Sequence, residues 1–334
     1  MEKSSVKLLL NPNNHLFELA RSGQRLPHLI VAIVLSVVFV LVAGISGGTI
    51  AVFIVLALSI TTGEISPETL SQLPANQGGQ ALAKLLMPNT ALEQTIFFVL
   101  SFGPIFLILW GWLALFEKRP WWTIGLEWRG AGQKYLRGLL IGLLMFIAAV
   151  GISGAFGYIT FEKGNSQPQG LAALGGVLLV FLGWTVQGPA EEAISRGWLL
   201  PTIGARYSPI LGVIVSSIVF AIFHSLNPNL NPIAILNLLL FGIFTALYAL
   251  YEGGLWGVFS IHAVWNWAQG NVFGFEVSGG AVSGGTLFNL MEVGPDVITG
   301  GPFGPEGGLA VTVVLVASCV VVWWLSERRT ELKE

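Results

Sequence analysis

The sequence predicts an all-α polytopic membrane protein, about eight transmembrane helices around a polar cavity that would serve as an active site. Three observations lead there. First, 54% of the 334 residues are hydrophobic and only 10% are charged, against roughly 25% charged in soluble domains; the mean hydropathy is +0.75. Second, runs of about 20 apolar residues, enough to cross the hydrocarbon core as helix, recur along the chain. Third, threading those runs back and forth across a bilayer gathers almost every lysine and arginine on one side, as cytoplasmic loops require. The net charge of −2 says nothing of partners, and no basic patch interleaved with aromatics points to nucleic acid. The expected surroundings are the lipid bilayer.

The elements follow in order. Residues 1–26 form a cytoplasmic N-terminal segment, and the first apolar run spans about 27–60. That run far exceeds the 7–15-residue core of a signal peptide, so it reads as a permanent span. Gly47-Gly48 invites a split into two short helices, but a split would move every later segment to the other side and destroy the charge bias. One long, tilted helix is therefore expected. A polar stretch with Pro67, Pro74 and Pro88 follows on the external side, then runs at about 94–116 and 137–160. Between those runs Trp121, Trp122 and Trp128 sit among basic residues, which suits an interfacial segment. Further runs lie at about 171–203, 208–225, 231–250 and 254–270. A glycine-rich external loop, 271–306, carries Glu276, Glu292, Asp296 and Glu306 but no lysine or arginine, and reads as irregular. A last run at about 307–325 completes a transmembrane domain of 27–325, with 326–334 as a cytoplasmic tail.

In this threading both termini are cytoplasmic. That side collects Lys3, Lys7, Arg21, Arg25, Lys118, Arg119, Arg129, Lys134, Arg137, Arg196, Arg206, Arg328, Arg329 and Lys333; the other receives Lys84 and Lys163. Cys319 is the single cysteine. It excludes an internal disulfide and a thiolate-rich metal site.

Against this apolar background the ionisable residues of the middle third stand out, because each costs about 2.5–3.5 kcal/mol near a bilayer centre on insertion scales. Glu191 and Glu192 are adjacent, with Arg196 one turn beyond. Residues four apart share a helix face and adjacent ones differ by about 100°. Glu192 and Arg196 are thus natural partners, leaving Glu191 turned elsewhere and free to act as a general base or acid. Taken alone, the string also suits two carboxylates balancing an arginine near the interface. His224 follows Phe220 by four residues. A turn near Ala205–Ser208 would bring Glu191 and His224 to a similar depth in an antiparallel hairpin. His262 and Asn266, again four apart, offer N–H donors for an oxyanion hole, or hydrogen bonds between helices. No His-Glu-x-x-His, Gly-x-Ser-x-Gly or phosphate-binding glycine loop is present.

Glu-Glu-x-x-x-Arg, Phe-x-x-x-His and His-x-x-x-Asn, in that order on separate apolar helices, resemble the CAAX protease and bacteriocin-processing (CPBP, or Abi) family of intramembrane proteases, which includes the Ras-converting enzyme. The resemblance covers about residues 171–270. Ser195 departs from it, standing where many members have an aromatic residue. The resemblance implies an intramembrane endopeptidase in which Glu191 and His224 polarise a water, His262 and Asn266 stabilise the oxyanion, and Glu192, Arg196 and Phe220 support the site. Glu191, His224 and His262 could instead supply three ligands to zinc, with water as the fourth. The paired spacing of zinc peptidases on one helix is missing, however, and a cofactor-free, glutamate-based hydrolase is the favoured reading. Two other classes remain open: a proton-coupled transporter using the buried charges as a relay, and a non-catalytic membrane scaffold of the same fold.

Overall fold

The computed structural model describes residues 8–63, 65–66, 86–162 and 167–331. Lys3, Lys7, Pro67, Pro74, Lys84, Lys163 and Lys333, all used in the sequence analysis, lie outside the described residues. The chain is all-helical but for one short pair of strands. A surface helix, α1 (His15–Arg21), precedes α2 (Leu29–Thr61), which runs unbroken for 33 residues through Gly47-Gly48. The reason is packing: a Cβ on Gly47 would lie 2.0 Å from the Leu100 carbonyl oxygen. The glycine permits close approach of the next helix rather than breaking its own. At 1.5 Å per residue α2 is about 50 Å long, longer than the ~30 Å hydrocarbon core, so it must tilt or protrude.

Three of the later helices start where the sequence supplies a side-chain cap. Thr90 and Glu93 form a reciprocal capping box at the head of α3 (Ala91–Trp112). Helix α4 (Ala131–Ala155) is followed by β1 (Ile159–Phe161), and then α5 (Leu174–Glu192) leads without a break into a π-helical turn, Ala193–Leu199, and α6 (Leu200–Arg206). The expected hairpin turn follows at once: Ser208 caps α7 (Pro209–Phe223) with Pro209 at its first position. Asn231 and Pro232 do the same for α8 (Pro232–Glu252), which ends at left-handed Gly253. Helix α9 (Trp256–Trp267) extends through a second π-turn, Ala268–Phe273.

The segment 271–306 is more ordered than its composition implied. It contributes β2 (Leu290–Glu292), antiparallel to β1, and a short helix α10 (Asp296–Thr299) before α11 (Leu309–Glu331). Six stretches are long and apolar enough to cross a membrane: Leu29–Thr61, Ala91–Glu117, Ala131–Ala155, Gly170–Arg206, Pro232–Glu252 and Leu309–Arg329, with Pro209–Phe223 as a shorter apolar helix. The protein is a multi-pass integral membrane protein. The remaining expected run, 254–270, corresponds to α9, whose residues Gly257–Asn266 are all buried. It is wrapped by α4 and α5 on either side, so it is the central post of the bundle. Side chains on the rim, such as Leu41, Phe53, Leu107 and Val320, are exposed as lipid-facing positions should be.

Candidate active site

The site is built where α5 meets α9. Pro189 lies inside α5 and, lacking an N–H, cannot bond the Thr185 carbonyl. The π-turn begins at Ala193, one helical turn later, a feature that recurs at functional sites. A Cβ on Gly188 would stand 3.1 Å from the His262 ring and from the Ala263 nitrogen. Only a glycine there lets α5 approach α9 closely enough for the two to share a hydrogen bond.

That bond joins His262 to Glu192: Nδ1 lies 2.9 Å from Oε1. Glu192 is fully buried and also pairs with Arg196, whose Nε is 3.3 Å from Oε2. The guanidinium is stacked over Phe220, 4.4 Å from the ring centroid. Glu191 faces the other way, as the 100° step between neighbours requires. Its Oε2 lies 3.7 Å from His224 Nε2 and 3.9 Å from His262 Nε2, and it has no hydrogen-bond partner. The tautomers follow from the other ring nitrogens. His224 Nδ1 is 2.8 Å from the Phe220 carbonyl, which only accepts, so Nδ1–H donates there. His262 Nδ1–H donates to the Glu192 carboxylate. In the neutral rings both Nε2 lone pairs therefore face Glu191.

The structure thus brings together Glu191, Glu192, Arg196, Phe220, His224, His262 and Asn266, from α5, its π-turn, α7 and α9. It adds a residue the sequence analysis missed. Gln187, one turn before Glu191, donates from Nε2 to Glu191 Oε1 at 2.6 Å and accepts from Asn266 Nδ2 at 2.9 Å. Its amide links the two proposed arms of the site and leaves Glu191 Oε2 as the oxygen facing the imidazoles. The only sequence signal was a four-residue spacing from Glu191 inside an otherwise apolar helix. Ser195, the departure noted above, is fully buried with its hydroxyl unpartnered.

Gln187, Glu191, Phe220, His224, His262 and Asn266 line one wall of a cavity of about 740 Å³, with Glu192 and Arg196 buried behind them. Its other walls are largely aromatic, including Phe97, Phe98, Phe102, Phe223 and Phe241. Among the described residues no group of three His, Cys, Asp or Glu side chains is arranged to hold a metal ion.

Residues 173–268 match the family described as type II CAAX prenyl endopeptidase, Rce1-like. Over this stretch the chain is similar to that family. The matched residues are α5 through α9, the helices that carry every side chain of the site. The match implies an intramembrane peptidase acting on a protein or peptide. Comparison with curated proteins gave no match, and neither did comparison with solved structures.

Proposed function

We propose that the protein is an intramembrane endopeptidase that hydrolyses peptide bonds with a water activated by Glu191 and His224. The observation that carries this reading is the convergence of Glu191 Oε2 with two imidazole Nε2 atoms at 3.7 and 3.9 Å. The Glu191 oxygen has no hydrogen-bond partner of its own. A water held among these three has the polar partners it needs. Glu191 takes its proton as the oxygen attacks the substrate carbonyl, and the same proton passes to the departing amine. Asn266 Nδ2 spends one hydrogen on Gln187 and keeps a second for the oxyanion. Two carboxylates and one guanidinium leave the cluster one negative charge; a proton on His262 Nε2 balances it and supplies the other oxyanion donor. Glu192 and Arg196 hold His262 in place, and no metal takes part.

The test is cleavage of a quenched-fluorescence peptide library by detergent-purified wild type and Glu191→Ala, with and without a strong chelator. Cleavage by the wild type alone, indifferent to chelation, is expected. Equal cleavage by both proteins would remove Glu191 from the chemistry, and chelator loss restored by zinc would move it to a metal centre.

A further inference from the structure

The cavity and the charge distribution together indicate which face of the bilayer supplies the substrate, an inference that rests on the hydrolase reading above. The cavity mouth is framed by Met87–Asn89, Asn227 and residues 277–283; Met87 is 55% exposed and Ala281 is exposed. These segments lie at the end of the bundle where α3 and α5 begin and α7 finishes. In the other direction the cavity is closed. Ile194 lines it, and Ser195, Arg196, Trp198 and Leu199 behind are completely buried.

The far end, past α6, is the basic one. It holds Arg21, Arg25, Lys118, Arg129, Arg206 and Arg328 among others. It is tied together by Arg206 Nη1 donating to the Leu26 carbonyl and Arg329 Nη1 to that of Tyr251. Among the described residues no lysine or arginine falls in the connections at the mouth end. Glu162, Glu276, Glu292 and Asp296 gather there instead. Because lysine and arginine near span ends mark the cytoplasmic side, the basic end faces the cytoplasm and the mouth faces away from it.

We infer that the cavity takes its substrate from the non-cytoplasmic face of the membrane. The substrate is an exported polypeptide that enters as an extended, largely apolar segment, matched to the walls of Phe97, Phe98, Phe102 and Phe223. The C-terminus of a cytoplasmic protein would meet the closed, basic end instead.

The experiment uses full-length protein with Cys319→Ala, which removes the single native cysteine. Ala281→Cys at the mouth and Arg129→Cys at the basic end are each exposed to a membrane-impermeant maleimide, in spheroplasts and in inverted vesicles. The expected result is labelling of Ala281→Cys only in spheroplasts and of Arg129→Cys only in inverted vesicles. The reverse pattern, or Ala281→Cys labelled from both sides, overturns the inference whatever the enzyme does. In parallel, a membrane-impermeant quenched peptide cut by the detergent-purified protein is offered to both preparations, with the expectation that spheroplasts cut it and inverted vesicles do not. Cleavage by inverted vesicles alone also overturns the inference. Outside labelling with no cleavage in any preparation, detergent included, removes the hydrolase reading and its substrate while keeping the orientation of the mouth.

Discussion

Among the described residues two carboxylate–guanidinium pairs are fully buried, and they differ in how completely their carboxylates are engaged. Toward the basic end, Glu117 and Arg119 are both at or near complete burial, with Nε and Oε2 2.6 Å apart. The Glu117 carboxylate also accepts from Trp112 and Trp198 Nε1 at 2.9 and 2.6 Å, while Arg119 Nη1 reaches the Thr123 carbonyl and hydroxyl. Glu117 thus has both oxygens engaged. Glu192 and Arg196 are equally buried, but 3.3 Å apart, and Glu192 Oε2, Arg196 Nε and Arg196 Nη2 lack hydrogen-bond partners, as does neighbouring Glu191 Oε2. Burial without full satisfaction costs about 1–3 kcal/mol per group, more for charges. Glu191 bears this cost in the cavity lining, and Glu192 and Arg196 bear it fully buried behind that lining. The Glu117 carboxylate is fully engaged and joins distant segments, although Arg119 Nη2 also lacks a partner; the less satisfied pair is the one beside the proposed site.

Four measurements break or sharpen that contrast. The largest effect is expected for Glu191→Ala, which should lower kcat by about 10²–10⁴-fold with little change in thermal stability; a full-length variant that still cleaves, or one that unfolds, ends the distinction. Next, Glu117→Ala should leave Arg119 buried and unpaired, costing about 3–5 kcal/mol. It should appear as loss of folded protein in detergent, with per-molecule activity retained in whatever survives. Activity lost ahead of stability would make that cluster part of the site.

Gln187→Ala comes third, since it releases both Glu191 and Asn266. Misplacing reacting groups by about 1 Å costs on the order of 10²-fold, so kcat should fall by about 10–10²-fold while KM holds. Gln187→Glu would put a second carboxyl beside Glu191 and should displace the pH–rate profile. An unmoved profile would reduce Gln187 to filler.

The smallest effect concerns Glu292, an unpaired carboxylate in β2. Its Oε1 has no hydrogen-bond partner, and its pKa is pushed up to about 7 by burial, with Glu276 and Asp296 adding to the rise. A carboxyl whose folded pKa is raised binds its proton more tightly when folded. It therefore costs nothing below its ordinary value near 4.5 and destabilises progressively as pH rises to about 7. Glu292→Gln should accordingly melt about 2–4 °C higher than wild type at pH 8 and at the same temperature at pH 4. A constant difference across that range would mean the proton is not involved.

The contrast between the two pairs also shows what the sequence could reveal. The spans were legible because apolar length is local, and Glu192–Arg196 because an i,i+4 spacing is local. The hairpin bringing His224 toward Glu191 could be read from the turn between Ala205 and Ser208. Glu117–Arg119 could not. Arg119 looked like one more cytoplasmic basic residue, because Trp198, which helps bury the pair, lies 81 residues from Glu117. Gln187 escaped for the same reason, its partner Asn266 being 79 residues away on α9. The order within 271–306 was hidden as well: it comes from pairing with β1 and from Ser278 and Trp265 bonding Glu306, none of which composition encodes.

The π-turn Ala193–Leu199 has a consequence for how this chain can change by insertion and deletion. It contains both Arg196, which reaches back to Glu192, and Trp198, which reaches across to Glu117. Removing one residue there would return the segment toward ordinary helix and rotate everything beyond it by about 100°. The loss of one codon, touching no catalytic residue, would swing Trp198 off Glu117 and α6 off its seat against α7. Substitutions within the turn are screened position by position, but its length is held by both ends of the molecule at once, so related chains should vary there in identity and not in count.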